Sequence, residues 1–136
     1  MKIFLDTNII VSAIMFPRGV ASMAYIKAVS NHRCCICEKT LYELRNVFRR
    51  KFPEHIETLE NFIKISLKTW EKFDDEKLPI ELENTIRDEK DRILYRTAKA
   101  NGCDAILTGD NDFKDNNLLD IDIIVPQDIL NDDKSF

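Results

Sequence analysis

Apolar and polar positions along this chain switch repeatedly between two periods, and the switching predicts short buried strands set between amphipathic helices. Ile3-Phe4-Leu5 is an unbroken apolar run, and a helix capped by Asn8 and running to residue 15 follows it. Phe16-Pro17-Arg18-Gly19 reads as a turn, and a second helix covers residues 20–30. Cys34-Cys35-Ile36-Cys37 makes the next inner strand. Thr40 opens a helix to residue 51, broken at Pro53, and another helix covers residues 54–70. Residues 73–79 read as a loop. A helix from about Asp91 stops at Asn101-Gly102, where glycine suits the left-handed position. Residues 105–108 and 121–125 are the remaining strands, with a helical turn at 127–130. Strands alternating with helices predict an α/β fold whose parallel sheet is covered on both faces.

In the helix over residues 54–70, Ile56, Leu59, Ile63, Leu67 and Trp70 keep a helical spacing and face the core. Phe62 and Ile65 fall on a different side. They are either wedged against a neighbour or part of an apolar patch for a partner or a second copy.

At 136 residues, 44% hydrophobic and 32% charged, the chain suits one globular domain covering residues 1–136. No apolar stretch reaches the roughly 18 residues of a membrane helix, and Met1-Lys2-Ile3 leads into structure without a long apolar signal region. A cytoplasmic location is expected. Cys34, Cys35, Cys37 and Cys103 do not follow a zinc-ligand spacing and read as buried free thiols. The net charge of −4 does not advertise nucleic-acid binding, but basic residues cluster over 45–51 and 87–96. Each cluster is either a solvated helix face or part of a basic rim able to hold phosphates.

The acids carry the chemistry. Asp6 leaves the first apolar run and Asp110 leaves the run Ala105-Ile106-Leu107 through Thr108-Gly109. Both would stand at the carboxyl edge of one sheet, where open α/β folds bind ligands. A structural role for Asp6 is to accept helix-start amides, which Thr7 or Asn8 can already do. Glu43 fits a capping box with Thr40, yet it also lies at the edge of the stripe Leu41, Leu44 and Phe48. Asp88 and Asp91 flank a helix start, one of them as a simple cap. Asp110 and Asp112 sit in a turn-like Gly-Asp-Asn-Asp sequence. Gathered in one place these carboxylates would repel one another without a cation, and an oxygen-only ligand set selects Mg²⁺ or Mn²⁺ over zinc. Phosphodiester hydrolysis is the natural reaction class.

Three segments, LDTNIIVSAI, TLYELRNVFRRKF and IRDEKDRILYRTAKANGCDAILTGDNDF, resemble the PIN-domain family in the same order over roughly residues 1 to 126. Within it they are similar to the bacterial toxin components of toxin–antitoxin systems. The resemblance implies a three-layer α/β/α sandwich with a parallel sheet of about five strands. It also implies an Mg²⁺- or Mn²⁺-dependent ribonuclease, a homodimer and a protein antitoxin over the active cleft. The family's acids map onto Asp6, Glu43, Asp91 (or Asp88) and Asp110, with Asp112 as an accessory. Its small polar residues map onto Thr7, Asn8 and Thr108. Glu89 departs from the family, whose members often carry proline after the first Asp of that segment. Arg45, Arg49 and Arg92 are the candidates for gripping the RNA backbone. The rival is a PIN-fold module that binds RNA or protein and cuts nothing. An aspartate-nucleophile phosphotransferase lacks its second Asp, since Asn8 stands there, and no Gly-rich turn follows the first strand for a dinucleotide.

Overall fold

A computed structural model describes residues 1–110, Phe113 and residues 120–131. Five parallel strands form one sheet: β1 (Lys2–Leu5), β2 (Arg33–Cys37), β3 (Glu71–Phe73), β4 (Ala105–Leu107) and β5 (Asp122–Ile124), in the order β3-β2-β1-β4-β5. The described helices are α1 (Thr7–Met15), α2 (Val20–Asn31), α3 (Glu38–Lys51), α4 (Ile56–Ser66), α5 (Glu89–Ala100) and α6 (Pro126–Asn131). Short 3₁₀ turns occupy Pro53–His55 and Glu81–Thr85.

Strand alternation divides the inner residues between two cores. Ile3, Leu5, Cys34, Ile36 and Leu107 face a layer that includes Ile9, Leu44, Phe48 and Leu59 from α1, α3 and α4. Phe4, Cys35, Cys37 and Ile106 face the opposite way and pack on Leu94, Tyr95 and Ala98 of α5. The result is the expected α/β/α sandwich. A fully buried aliphatic or aromatic side chain in either core contributes about 1.5–3 kcal/mol.

The strand order creates a switch point. From β1 the chain moves outward to β2 and β3, then returns to lay β4 on the other side of β1. Connections leave β1 and β4 in opposite directions, which opens a crevice at the carboxyl ends of these two strands.

Several boundaries differ from the sequence pattern for physical reasons. The fifth strand, β3, lies where the sequence read as the end of a helix and the start of a loop. The helix expected to reach residue 70 ends at Ser66, after a 3₁₀ start at Pro53. Trp70 is nevertheless buried, and its indole donates to the Tyr25 hydroxyl at 3.2 Å. Phe62 packs against both Tyr25 and Trp70, with ring centroids 5.9 Å apart in each case, whereas Ile65 is exposed. Gly102 follows α5 at φ 70°, as the left-handed stop requires. All four cysteines are free and buried, and burial pushes the Cys34 thiol up to about 12.

Candidate active site

The site is built where β1 and β4 end. Asp6 extends the sheet by one bond, its amide donating to the Leu107 carbonyl at 2.9 Å. It occupies the N-cap position of α1, but its carboxylate makes no capping bond to the following turn. The Thr108 hydroxyl instead donates to Asp6 Oδ2 at 2.7 Å. The same hydroxyl oxygen accepts the Asp110 amide at 3.0 Å, so one threonine fixes both outlets. Burial raises the Asp6 pKa above its ordinary value, and the charges of Glu43 and Asp110 raise it further. The Thr108 hydroxyl and the Thr7 amide pull the other way.

Glu43 reaches the same place from α3. The capping box expected between Thr40 and Glu43 does not form. The cap lies three residues earlier, at Cys37, and the helix runs from Glu38. Thr40 then sits at the third helical position, and its hydroxyl accepts the Cys37 amide at 3.2 Å. That arrangement relieves Glu43 of any capping duty. Thr7 donates to Glu43 Oε2 at 3.4 Å, and Glu43 Oε1 is buried with no hydrogen-bond partner. Ammonium groups of Lys39 and Lys90 stand 3.9 and 4.0 Å from that oxygen, close enough for attraction and too far for a bond.

The fifth helix brings the other acids. Asp88 caps it, with Oδ1 accepting the Lys90 amide at 2.9 Å. Asp91 lies in the first turn and is half-buried. Its carboxyl is pushed up to about 7, first by burial and then by Asp6, Asp88, Asp110 and Glu43. Asp91 therefore feels the other four acids, while Asp88 spends an oxygen on the helix.

Asp6, Glu43, Asp88, Asp91 and Asp110 line one cleft of about 680 Å³, together with Thr7 and Asn8. Asp112 lies outside the described residues. The expected basic contacts do not line the cleft. Arg45 makes a two-pronged pair with Glu60, both contacts at 3.0 Å. Arg49 donates to Asn46 at 3.4 Å, and the Arg92 guanidinium is held by the Ile86 carbonyl at 2.6 Å. Lys39, Arg50, Lys51 and Lys90 are the cleft's cations instead. Helical phase would have found Lys39 and Arg50 on α3. At about 100° per residue, Arg45 and Arg49 lie roughly 200° and 240° from Glu43, whereas Lys39 and Arg50 lie within about 40° of it.

The donor set fits a hard divalent cation: carboxylate and hydroxyl oxygens, two carboxyl pKa values raised by burial and then by mutual repulsion, and a buried Glu43 oxygen with no hydrogen-bond partner. Among the described residues, no three acidic, histidine or cysteine side chains already form a group that could clasp an ion. Magnesium keeps several of its waters, so an oxygen-lined cleft of this kind can bind it in part through them.

Residues 2–112 match the family model of the PIN domain. This chain belongs to the PIN-domain family. Solved PIN-like chains superpose along most of its length. A chain of VapBC2 from Rickettsia felis, solved bound to a DNA fragment from their promoter, superposes with a TM-score of 0.66 at 18% identity, covering 92% of this chain and 98% of that one. FitAcB from Neisseria gonorrhoeae gives a TM-score of 0.63 at 17% identity, with the same coverage of 92% and 98%. At these identities the likeness is one of fold. No curated protein matches the sequence at a significant level.

Proposed function

We propose that this PIN-domain chain is an Mg²⁺- or Mn²⁺-dependent endoribonuclease that hydrolyses RNA phosphodiester bonds as the toxin of a toxin–antitoxin pair. The observation that carries the reading is the cleft at the β1/β4 switch point, lined by five carboxylates from four segments, with Asp91 pushed up to about 7. A bound divalent cation would supply polarisation of a phosphoryl oxygen and a water of lowered pKa.

The chain's own residues do the rest. Asp6, Asp91 and Asp110 hold the cation directly or through water, with Asp112 as an accessory. Thr108 keeps the Asp6 and Asp110 segments in register through its two bonds. The unpartnered Glu43 Oε1 accepts from the attacking water and orients it. Asn8 and Thr7 border the cleft, and Thr7 steadies Glu43. The likeness in fold to the VapBC2 and FitAcB chains supports a protein antitoxin as partner. Its seat over the cleft, and a homodimer, are what the resemblance to the PIN-type toxins implies.

Purified protein should cut RNA when Mg²⁺ or Mn²⁺ is added and stop when chelator follows. Asp6→Asn should fold and remain inactive. Full cleavage by that variant would reject the assigned role. One observation favours a second reading, a PIN module that binds RNA or protein without cutting: the described acids do not already form a clasping group. Calorimetry with Mn²⁺ separates the two, because the binding module takes up no cation.

A further inference from the structure

The cleft holds three features of α3 that the proposed hydrolysis does not use. Tyr42 lines it with 61% of its surface exposed, and its hydroxyl makes no hydrogen bond among the described residues. The Lys39 ammonium lies over the Tyr42 ring, 5.5 Å from its centroid, and also 3.9 Å from Glu43 Oε1. Arg50 and Lys51 line the same cleft further along α3, with no ion pair or hydrogen bond among the described residues. Seven residues separate Glu43 from Arg50, about two helical turns or roughly 10 Å.

The exposed Tyr42 ring shares this cleft with Arg50 and Lys51, which have no partner among the described residues, whereas the other arginines of α3 are engaged. Arg45 pairs with Glu60, and Arg49 is bonded to Asn46. Tyrosine faces stack on unpaired bases without regard to sequence, and cations spaced along a groove hold the backbone phosphates. Lys39 connects the two functions because it touches both the ring and the acid. A base stacked on Tyr42 brings its own phosphate to Lys39 and hence to Glu43.

We propose that Tyr42 is a positioning residue whose ring stacks the base adjoining the scissile phosphate of an unpaired RNA strand, with Arg50 and Lys51 holding phosphates further along α3. This subsite rests on the ribonuclease reading for its chemistry, but its occupation can be measured without cleavage. A base held in a duplex cannot reach the ring, so the subsite selects unpaired over paired substrate.

The test is fluorescence anisotropy with a labelled 12-nucleotide unpaired RNA and its blunt duplex, in Ca²⁺, on the full chain (the length being about three times the lower site size of a strand-binding fold). Tyr42→Ala should weaken binding of the unpaired strand roughly 5- to 150-fold, the loss of one stacked base, and leave duplex binding unchanged. Tyr42→Phe should bind like the wild type. Arg50→Ala with Lys51→Ala should reduce the slope of log affinity against log salt by about 1.4, or ~0.7 for each phosphate released. Arg45→Ala, outside the cleft, is the control. In turnover, Tyr42→Ala should raise KM and leave kcat near that of the wild type. Unchanged strand binding in Tyr42→Ala, failure of Tyr42→Phe to restore it, or equal losses on strand and duplex would overturn the subsite. Tyr42-dependent binding without any cleavage would retain the subsite and reject the nuclease. Normal cleavage with unchanged KM in Tyr42→Ala would do the reverse.

Discussion

Thr108 and Asp6 are 102 positions apart in the chain and joined by a buried 2.7 Å hydrogen bond, the shortest connection between the ends of β4 and β1 at the cleft. The hydroxyl stabilises the ionised carboxylate, and so opposes the burial that raises the Asp6 pKa. Thr108→Val should cost about 1–3 kcal/mol of stability, the penalty for leaving a buried polar group unsatisfied. It should also weaken cation uptake, since Asp6 becomes harder to ionise. Thr108→Ser should retain most of both. Urea denaturation alongside Mn²⁺ calorimetry would check the pair, and an unaffected Thr108→Val would remove the hydroxyl from the site.

The pH dependence of the metal-free protein follows from Asp91 and Asp6. Both have pKa values raised by folding from 3.8, Asp91 to about 7. Between about pH 4 and 7 the folded state therefore binds more protons than the unfolded chain, and stability falls as pH rises. In chelator, the urea midpoint should be higher at pH 5.5 than at pH 8. A midpoint that rises over this interval would contradict the sign.

Relieving the crowded charge should expose a trade between stability and binding. Asp91→Asn removes a carboxylate that the fold disfavours, so its melting temperature in chelator should rise, by about 3–5 °C for each kcal/mol relieved. The wild type should gain about 2.7 kcal/mol from a divalent cation at 100 times its Kd. Asp91→Asn should gain far less and should not cleave. Calorimetric melts with and without Mn²⁺ would show the crossing, and a full cation response in the variant would exclude Asp91 from the site.

Arg96 and Glu83 form a two-pronged pair at 2.8 and 2.6 Å with only 4% of the Glu83 side chain exposed. The pair ties α5 to the 3₁₀ turn that precedes Asp88. Arg96→Met leaves a buried carboxylate uncompensated and should cost about 3–5 kcal/mol. Adding Glu83→Met should recover much of that loss, because a packed apolar pair replaces a buried ion pair at little cost. Denaturation of the single and double variants would check it; an additive double loss would mean the pair is not coupled.

The parts of the fold that were legible in the sequence are those written in apolar runs. β1, β2, β4 and β5 follow from Ile3-Phe4-Leu5, the cysteine-rich run, Ala105-Ile106-Leu107 and Ile121 to Val125. β3 was not, because Glu71-Lys72-Phe73 has no apolar run and becomes a strand only by pairing with β2. The acids at the two strand outlets could be read for the same reason as the strands. The start of α3 could not, since the cap is a cysteine and Thr40 accepts from behind rather than from ahead. That three-residue difference decides whether Glu43 caps the helix or turns its carboxylate to the cleft. The basic clusters read from the sequence contain Arg50, Lys51 and Lys90 of the cleft, but Arg45, Arg49 and Arg92 were singled out from them and Lys39 lies outside both, because phase around α3 was not followed.

The strand order also sets when the cleft can exist. Asp6 and Asp110 are 104 positions apart, and β4 pairs with β1 only after about a hundred intervening residues have been added. Until then β1 has an open side and Asp6 has no threonine to meet. Assembly of the cleft therefore depends on a pairing of high sequence separation, whose loop-closure entropy makes it slow to form compared with the local helix contacts.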